Sequence, residues 1–519
     1  MLFLIGFMAA GKTSVGRGLA AATGRRFVDL DDEIAAMGEP VAQLVARDEP
    51  EFRRREAAAL ASVIADGRAD IIATGGGAPM FGDNLERMRA AGLVIALDVD
   101  VAEARARATG GTVRPLLANA EALAVERAAT YRRAHAVVST TGRSLGEVIA
   151  HVAAVERVHA ALPDRLRDAT LVALGERTYP ICVQDGFELG DVLRSATRVA
   201  LISDDRVAGA WGAAAEAAIG RDLIKLAIIP GEASKSLATY ESLCSELIAR
   251  GLDRGSVIVA LGGGVVGDLA GFVAATLFRG IPVVQLPTTL VAMTDAAIGG
   301  KTAVDLPAGK NLLGAFHQPR LVSCALSTLS TLPARERRAG FGELWKYALL
   351  DSRALWRAVD ACTGWAGSGG DAPAELRDVI ARSIAYKAAI VGRDEHERTG
   401  VRALLNLGHT VGHAIETHTG MLHGEAVGLG LIAACRVSAA LGLARRELET
   451  EVVEALRRTG MDVDLDPHLS SEVTTRIGVD KKRMGDRVRF VAIREVGACE
   501  LVEIEVAELG RILRAAAPP

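Results

Sequence analysis

Residues 2–13 read LFLIGFMAAGKT, an apolar run that breaks into a small-residue loop and ends on a lysine and a threonine. Leu2 to Phe7 is predicted to be a short buried strand, and a helix is predicted from about Lys12 to Ala22. The segment Gly6 to Thr13 matches GxxxxGK[ST] in the strand–loop–helix setting that the motif requires. Such a loop, here Gly6, Ala9, Ala10, Gly11, Lys12, Thr13 and Ser14, turns backbone N–H groups toward phosphate oxygens at the positive end of a helix. Lys12 would reach the β- and γ-phosphates, and the Thr13 hydroxyl would help to hold Mg²⁺. The expected ligand is ATP with Mg²⁺.

Outward from this loop, residues 1–160 alternate strands with helices. ADIIATGGG and GLVIALDVD are later strands of the same kind. That alternation implies a parallel sheet covered on both faces. Residues 144–169 read as a terminal helix running into a linker (161–170) that contains Pro163. A second α/β series begins near Leu171, with TLVALGE, YPICVQ, RVALISDD, DLIKLAIIPG, SVIVALGGG and PVVQLP as its strands. It is expected to fill 171–330. Beyond about Pro333 the strand signals fade and periodic helices take over, with a short hairpin expected in VRFVAIREVGACELVEI. At 519 residues the chain has room for roughly three domains.

Half of the residues are hydrophobic and 24% are charged, which excludes a disordered chain. The formal net charge of −4 advertises no nucleic-acid partner. Six dispersed cysteines, none in a CxxC pair, point to a reducing, cytoplasmic compartment. The N-terminus lacks the basic region of a signal peptide, and the uncharged run Leu269–Phe278 is too short to cross a bilayer, so no membrane partner is expected. Only nine of the 60 basic residues are lysine. Where arginine supplies the ordinary surface charge, a retained lysine points to a need for its compact ammonium or adjustable pKa.

The first 160 residues carry further partial motifs: Asp29 and Asp31 in FVDLDDEI, Arg53 in FRRRE, Gly75–Gly77 in IIATGGGA, Arg114 opening RPLL, and Arg127 four residues before Tyr131. With the phosphate loop, and in this order, they resemble shikimate kinase. The resemblance implies a P-loop kinase fold. It implies that Asp31 holds the shikimate hydroxyls and assists deprotonation, and that Arg53 and Arg127 clamp the carboxylate. Gly75, Gly76 and Gly77 would bring backbone close to the acceptor. Arg114 would swing in on a lid over ATP, and Asp29 would bind Mg²⁺ through water. Ala9 stands where the family usually has glycine, and the segment from Arg114 to Tyr131 is shorter than usual, which implies a trimmed lid.

In the C-terminal half, four of the ten histidines crowd into NLGHTVGHAIETHTGMLHGEAV. His409 and His413 are spaced i, i+4 and share one face of a predicted helix. His423 begins another, and Glu343 in FGELWKY is a candidate acidic partner. A single histidine would read as an ordinary surface or core residue; the cluster reads as a catalytic Zn²⁺ site with an open position. VIVALGGGVVGD, 257–268, is a buried strand entering a glycine loop of the dinucleotide-binding type, and Asp204 ends an earlier strand, where an acidic group can bind a ribose.

Together with LPTTLVAMTDAAIGGKTAVDLPAGKNLLGAFHQP at 286–319, these motifs closely resemble 3-dehydroquinate synthase across about 170–519. The resemblance implies a Rossmann-like α/β domain that binds NAD, followed by a mostly α-helical domain, 331–519, that binds metal and substrate. Glu343, His409 and His423 would be the ligands of zinc (or Co²⁺). NAD would be held by Asp204, Glu232, Lys235, Gly262, Gly263, Gly264, Val265, Gly267, Asp268, Thr288 and Thr289, with Lys301 and Lys310. The heptulosonate phosphate substrate would meet Arg279, Asp295, Lys301, Lys310, Asn311, Lys346, Lys387, Arg402, Asn406, His413 and Lys481. Of these, Asp295, Lys301, His413, Lys346 and Arg279 are the expected catalytic groups, beside Lys12, Asp31 and Arg114 in the kinase. Seven of the nine lysines fall in or beside these motifs. The family usually forms homodimers. Three alternatives stand at this point: another sugar phosphate cyclase with the same NAD and zinc chemistry, an NAD-dependent polyol dehydrogenase, and an N-terminal half that senses nucleotide without transferring phosphate.

Overall fold

The computed structural model describes residues 1–108, 119–477, 483–484 and 486–515. Arg114, with the lid expected around it, and Lys481 lie outside the described residues. The chain forms two compact units, one of Met1–Pro180 with Ala388–Arg393, the other of Ile181–Lys387 with Asp394–Pro519.

The first unit is built on a parallel sheet of β1 (Leu2–Gly6), β2 (Phe27–Asp29), β3 (Ile71–Ala73), β4 (Leu93–Asp98), β5 (Ala136–Ser139) and β6 (Thr170–Val172), in the order β2-β3-β1-β4-β5-β6. Successive side chains of β1 point to opposite faces: Leu2 and Leu4 join one apolar core, Phe3 and Ile5 the other. That is why LFLI is continuously apolar rather than alternating. β1 lies between β3 and β4, where the strand order reverses, so its C-terminal end opens into a crevice. The phosphate loop leaves from that end.

Near the linker the reading of TLVALGE is corrected. The terminal helix runs from Leu145 to Ala160, opened by a Ser144–Glu147 capping box, and the linker follows it. Pro163, which has no N–H to donate, follows as the cap of a single turn, Asp164–Leu166. TLVALGE does not open the second series; its strand β6 pairs with β5, Leu171 opposite Ala136.

The second unit carries a parallel sheet of β7 (Tyr179–Gln184), β8 (Val199–Asp204), β9 (Ile224–Ile228), β10 (Val257–Gly262), β11 (Val283–Pro287) and, after a hairpin of β12 (Lys301–Leu306) and β13 (Gly309–Phe316), β14 (Leu321–Ala325). The order is β7-β14-β11-β10-β8-β9. Helices follow, among them Ala334–Asp351, Ala374–Arg393, His409–Thr419 and His423–Ala440. A small antiparallel sheet of β15 (Arg483–Met484), β16 (Arg487–Glu495) and β17 (Ala498–Glu505) realises the expected terminal hairpin.

The helices that carry Glu343, His409 and His423 meet backbone to backbone through glycine. A Cβ on Gly342 would overlap the Gly424 carbonyl, one on Gly424 would overlap that of Ala339, and one on Gly430 that of Gly408. Gly342, Gly408 and Gly424 are each a sequence neighbour of Glu343, His409 or His423. Among the described residues no helix is long and apolar enough to cross a membrane.

Candidate active sites

In the first unit, Gly11 precedes the helix Lys12–Thr23 at φ +95° with no side-chain cap, so the first-turn N–H groups face the loop. Ala9 also takes a left-handed backbone, φ +59°. Lys12 Nζ donates to the carbonyls of Gly6 (3.0 Å) and Phe7 (2.9 Å), which folds its ammonium over the loop. The Thr13 hydroxyl donates to Asp29 (2.6 Å), so the two expected Mg²⁺-side groups are in contact. Ala10 is buried, and Ser14 is exposed on the first turn of the helix.

Across the crevice, Asp29 accepts from the Asp31 N–H (3.0 Å) and starts the helix that presents Asp31. Arg53 donates to Glu56 (2.8 Å) and lies against Gly77, where any Cβ would overlap its guanidinium. Buried Arg127 approaches Gly76, whose carbonyl accepts from the Tyr131 hydroxyl (2.6 Å). A Cβ on Gly75 would overlap the Glu56 carboxylate and come within 3.2 Å of Asp31 Oδ1. Gly75 and Gly77 are therefore required by space, whereas a Cβ on Gly76 would make only ordinary contacts at 3.4–3.6 Å. Asp31, Arg53, Gly75–Gly77 and Arg127 come together as expected. Glu56 was not foreseen. It is fully buried, its Oε1 meets no hydrogen-bond partner, and burial pushes its pKa up to about 7 although Arg53 opposes the shift. The only signal was an acid three residues after Arg53 in a charged helix, which reads as a solvated pair.

In the second unit, Glu343 Oε1 lies 3.1 Å from His423 Nε2 and 3.5 Å from His409 Nε2. The ring nitrogens of His409, His413 and His423 can offer ligand atoms within 4.8 Å of one another. His409 Nδ1 is 3.0 Å from the Leu407 carbonyl, and His423 Nδ1 is 3.0 Å from Glu416 Oε2. Burial and the neighbouring Lys346 hold the His409 pKa well below its ordinary value, which keeps the ring neutral. Burial also opposes the His423 cation, but Glu343 and Glu416 outweigh it and push its pKa up to about 10. Two imidazoles and a carboxylate converging on one point, with a third imidazole beside them, are the donor set of a Zn²⁺ or Co²⁺ site.

Next to this point Lys346, wholly buried, pairs with Glu343 and stands 3.5 Å from Asp295. Asp295 also accepts from Lys387 (2.9 Å) and from the Tyr347 hydroxyl (2.9 Å). Burial opposes the Asp295 charge, yet Lys346 and Lys387 hold its pKa well below the carboxylate range. Burial, with repulsion from Arg402 and Lys346, brings the Lys387 pKa down to about 8.

These sites stand beside clear relatives. Residues 225–339 and 340–483 match the N-terminal and C-terminal models of 3-dehydroquinate synthase, and residues 8–156 match that of shikimate kinase. A 3-dehydroquinate synthase of Caulobacter vibrioides is 44% identical over 344 residues, covering 63% of this chain and 92% of the relative. This chain belongs to the 3-dehydroquinate synthase family. A shikimate kinase domain precedes the synthase in the same polypeptide. Among solved structures, 2-deoxy-scyllo-inosose synthase in complex with carbaglucose-6-phosphate, NAD⁺ and Co²⁺ superposes with a TM-score of 0.60 at 26% identity, covering 67% of this chain and 99% of the neighbour. The 2-epi-5-epi-valiolone synthase ValA of Streptomyces hygroscopicus subsp. jinggangensis, with NAD⁺ and Zn²⁺ bound, gives 0.59 at 26% identity, covering 65% and 96%.

The synthase's glycine loop has the form its sequence implies. β10 ends at Gly262, and the helix Gly264–Thr276 starts behind Gly263, which offers no side-chain cap to the first-turn N–H groups. Val265, Gly267 and Asp268 lie in its first turns. Thr288 donates its N–H to the Gly262 carbonyl (3.0 Å), and Thr289 packs beside Gly263. Buried Lys235 bridges Asp268 (2.5 Å) and Asn311. An open set of N–H donors with a lysine alongside fits the pyrophosphate of NAD. Asp204 caps its own helix through the Val207 N–H (2.9 Å), and Glu232 is exposed. Lys301 pairs with Glu397, Lys310 with Glu416 (2.9 Å), and buried Arg402 donates to the carbonyls of Glu395 (2.6 Å) and Gly299 (3.2 Å). Asn406 ends the turn Val401–Asn406. Arg279 is exposed on a left-handed backbone, φ +70°, and is not tied into the hydrogen-bonded cluster.

Proposed function

We propose that the chain is a bifunctional enzyme of aromatic amino-acid biosynthesis. The N-terminal domain transfers the γ-phosphoryl group of Mg²⁺·ATP to the 3-hydroxyl of shikimate. The remainder converts 3-deoxy-D-arabino-heptulosonate 7-phosphate to 3-dehydroquinate with release of phosphate. The observation that carries the synthase reading is the convergence of Glu343, His409 and His423 on one point beside the Asp295–Lys346–Lys387 cluster. The boundaries proposed are 1–160 for the kinase, joined across the linker by β6 (Thr170–Val172), then about 181–330 for NAD and 331–519 for metal and substrate. A cytoplasmic homodimer is the matching assembly and location, supported by six unpaired cysteines and by the family.

Glu343, His409 and His423 would hold the metal, and the Gly262–Gly264 loop with Lys235, Asp268, Thr288 and Thr289 would hold the dinucleotide. When bound, the metal polarises a secondary alcohol and NAD takes and returns its hydride. The chain's own residues do the rest. Lys346, whose pKa is raised because Asp295 and Glu343 outweigh its burial, stays cationic and neutralises substrate anion. Lys387, close to neutrality in its titration, can hold or release a proton at Nζ. His413, half-buried against His409, is placed to carry a proton at its ring. In the kinase, Arg53 and Arg127 orient the shikimate carboxylate, Asp31 accepts from the attacked hydroxyl, and Lys12 with Thr13 and Asp29 places the phosphates and Mg²⁺.

Another sugar phosphate cyclase would use the same metal and NAD groups. The 44% identity to a 3-dehydroquinate synthase, against 26% to the two cyclases of other substrates, favours the heptulosonate substrate. Incubation with heptulosonate phosphate, NAD and Zn²⁺ should give one phosphate per 3-dehydroquinate and no net NADH. Net NADH would indicate a dehydrogenase, and turnover only of a hexose or heptose phosphate would indicate another cyclase.

A further inference from the structure

The metal reading leaves one carboxylate without a role. Glu416 stands three residues after His413 on the helix His409–Thr419, with a side chain 14% exposed. Its Oε2 is 3.0 Å from His423 Nδ1, and its Oε1 accepts from Lys310 Nζ at 2.9 Å. We propose that Glu416 is a positioning residue, whose carboxylate accepts the His423 Nδ1–H so that the Nε2 lone pair faces the metal point, and which anchors Lys310 of the β12–β13 hairpin to the same carboxylate. This rests on the metal site argued above.

The chemistry follows from the imidazole ring. A histidine that ligates a metal has given up the proton of the ligating nitrogen, so an acceptor at Nδ1 selects the form that ligates through Nε2. His409 meets the same requirement with the Leu407 carbonyl at Nδ1, and both Nε2 atoms then face Glu343 Oε1. A carbonyl suffices for His409, which is buried at the start of its helix. His423 begins its own helix with nothing from the backbone at Nδ1, so a side chain must come from the neighbouring helix. An ionised acceptor also makes the ligating nitrogen more basic. Lys310 Nζ on the other carboxylate oxygen supplies a cation to that acceptor.

The test uses the full chain stripped of metal and titrated with Co²⁺, reading the dissociation constant and the visible d–d spectrum. Glu416→Ala should weaken Co²⁺ binding by about 10- to 100-fold and shift the band. Glu416→Gln, whose amide oxygen still accepts from Nδ1–H, should stay within about fivefold of the wild type. If circular dichroism shows Glu416→Ala unfolded, Glu416→Asp carries the test, since a carboxylate drawn back by one methylene should also weaken binding by tenfold or more. Wild-type affinity and spectrum in the folded Ala or Asp variant would overturn the proposal. Absence of stoichiometric Co²⁺ binding by the wild type, or unchanged binding by His423→Ala, would instead overturn the metal site itself, and this inference with it.

Discussion

At the residue scale, two side chains carry costs that can be measured. Ala9 holds a methyl at φ +59°, a conformation that costs an L-residue about 1–2 kcal/mol, whereas glycine adopts it freely. Ala9→Gly should therefore stabilise the phosphate loop by about 1 kcal/mol, slowing amide exchange across residues 2–23 about fivefold; unchanged or faster exchange would mean the methyl is unstrained. Glu56 is buried and its pKa is raised to about 7, so it is mostly neutral below that pH and ionised above it. Once ionised, it competes for the Arg53 guanidinium that shikimate's carboxylate needs. The KM for shikimate should then rise about three- to tenfold from pH 6 to pH 8, and Glu56→Gln should flatten that dependence. The linkage to stability has the matching sign: a carboxyl with a raised folded-state pKa stabilises at low pH, and that contribution is lost as pH rises from its unfolded value toward 7. Lys12, Asp31 and Glu343 were legible in the sequence because each sits in a local motif. Glu56 and Glu416 were not. Their meaning lies in partners such as Gly75, His423 and Lys310, which only the folded chain brings near.

At the scale of elements, the metal point depends on how closely three helices approach. Gly342, Gly408 and Gly424 let backbone touch backbone beside each proposed ligand. Gly424→Ala would press a methyl into the Ala339 carbonyl and force Ala334–Asp351 and His423–Ala440 apart. It should weaken metal binding at least tenfold with His423 intact, and lower stability by about 1–3 kcal/mol; wild-type metal affinity would show that the spacing is not critical. Most strands were readable from short apolar runs, some of them ending in glycine, as in VIVALGGG. The β12–β13 hairpin was missed because Lys301–Phe316 shows no two-residue alternation, and Leu312, Leu313 and Phe316 remain exposed.

At the scale of the whole molecule, two chemistries are proposed for two compact units of one chain, each with its own run of parallel strands and its own candidate site. The order of motifs made both activities legible, because the phosphate loop, the glycine loop and the histidine cluster are each contiguous, while Glu343 sits in a separate motif. The domain boundaries were less legible, since β6 follows the linker yet joins the first sheet. The most direct measurement assays both reactions on single preparations of the wild type, Lys12→Ala and His423→Ala, each supplied with Mg²⁺·ATP, NAD and Zn²⁺. The wild type should phosphorylate shikimate and form 3-dehydroquinate. Lys12→Ala should lose at least about 100-fold in phosphoryl transfer and keep the synthase rate, and His423→Ala should do the reverse. A folded wild type lacking either reaction, or either variant losing both, would contradict the account.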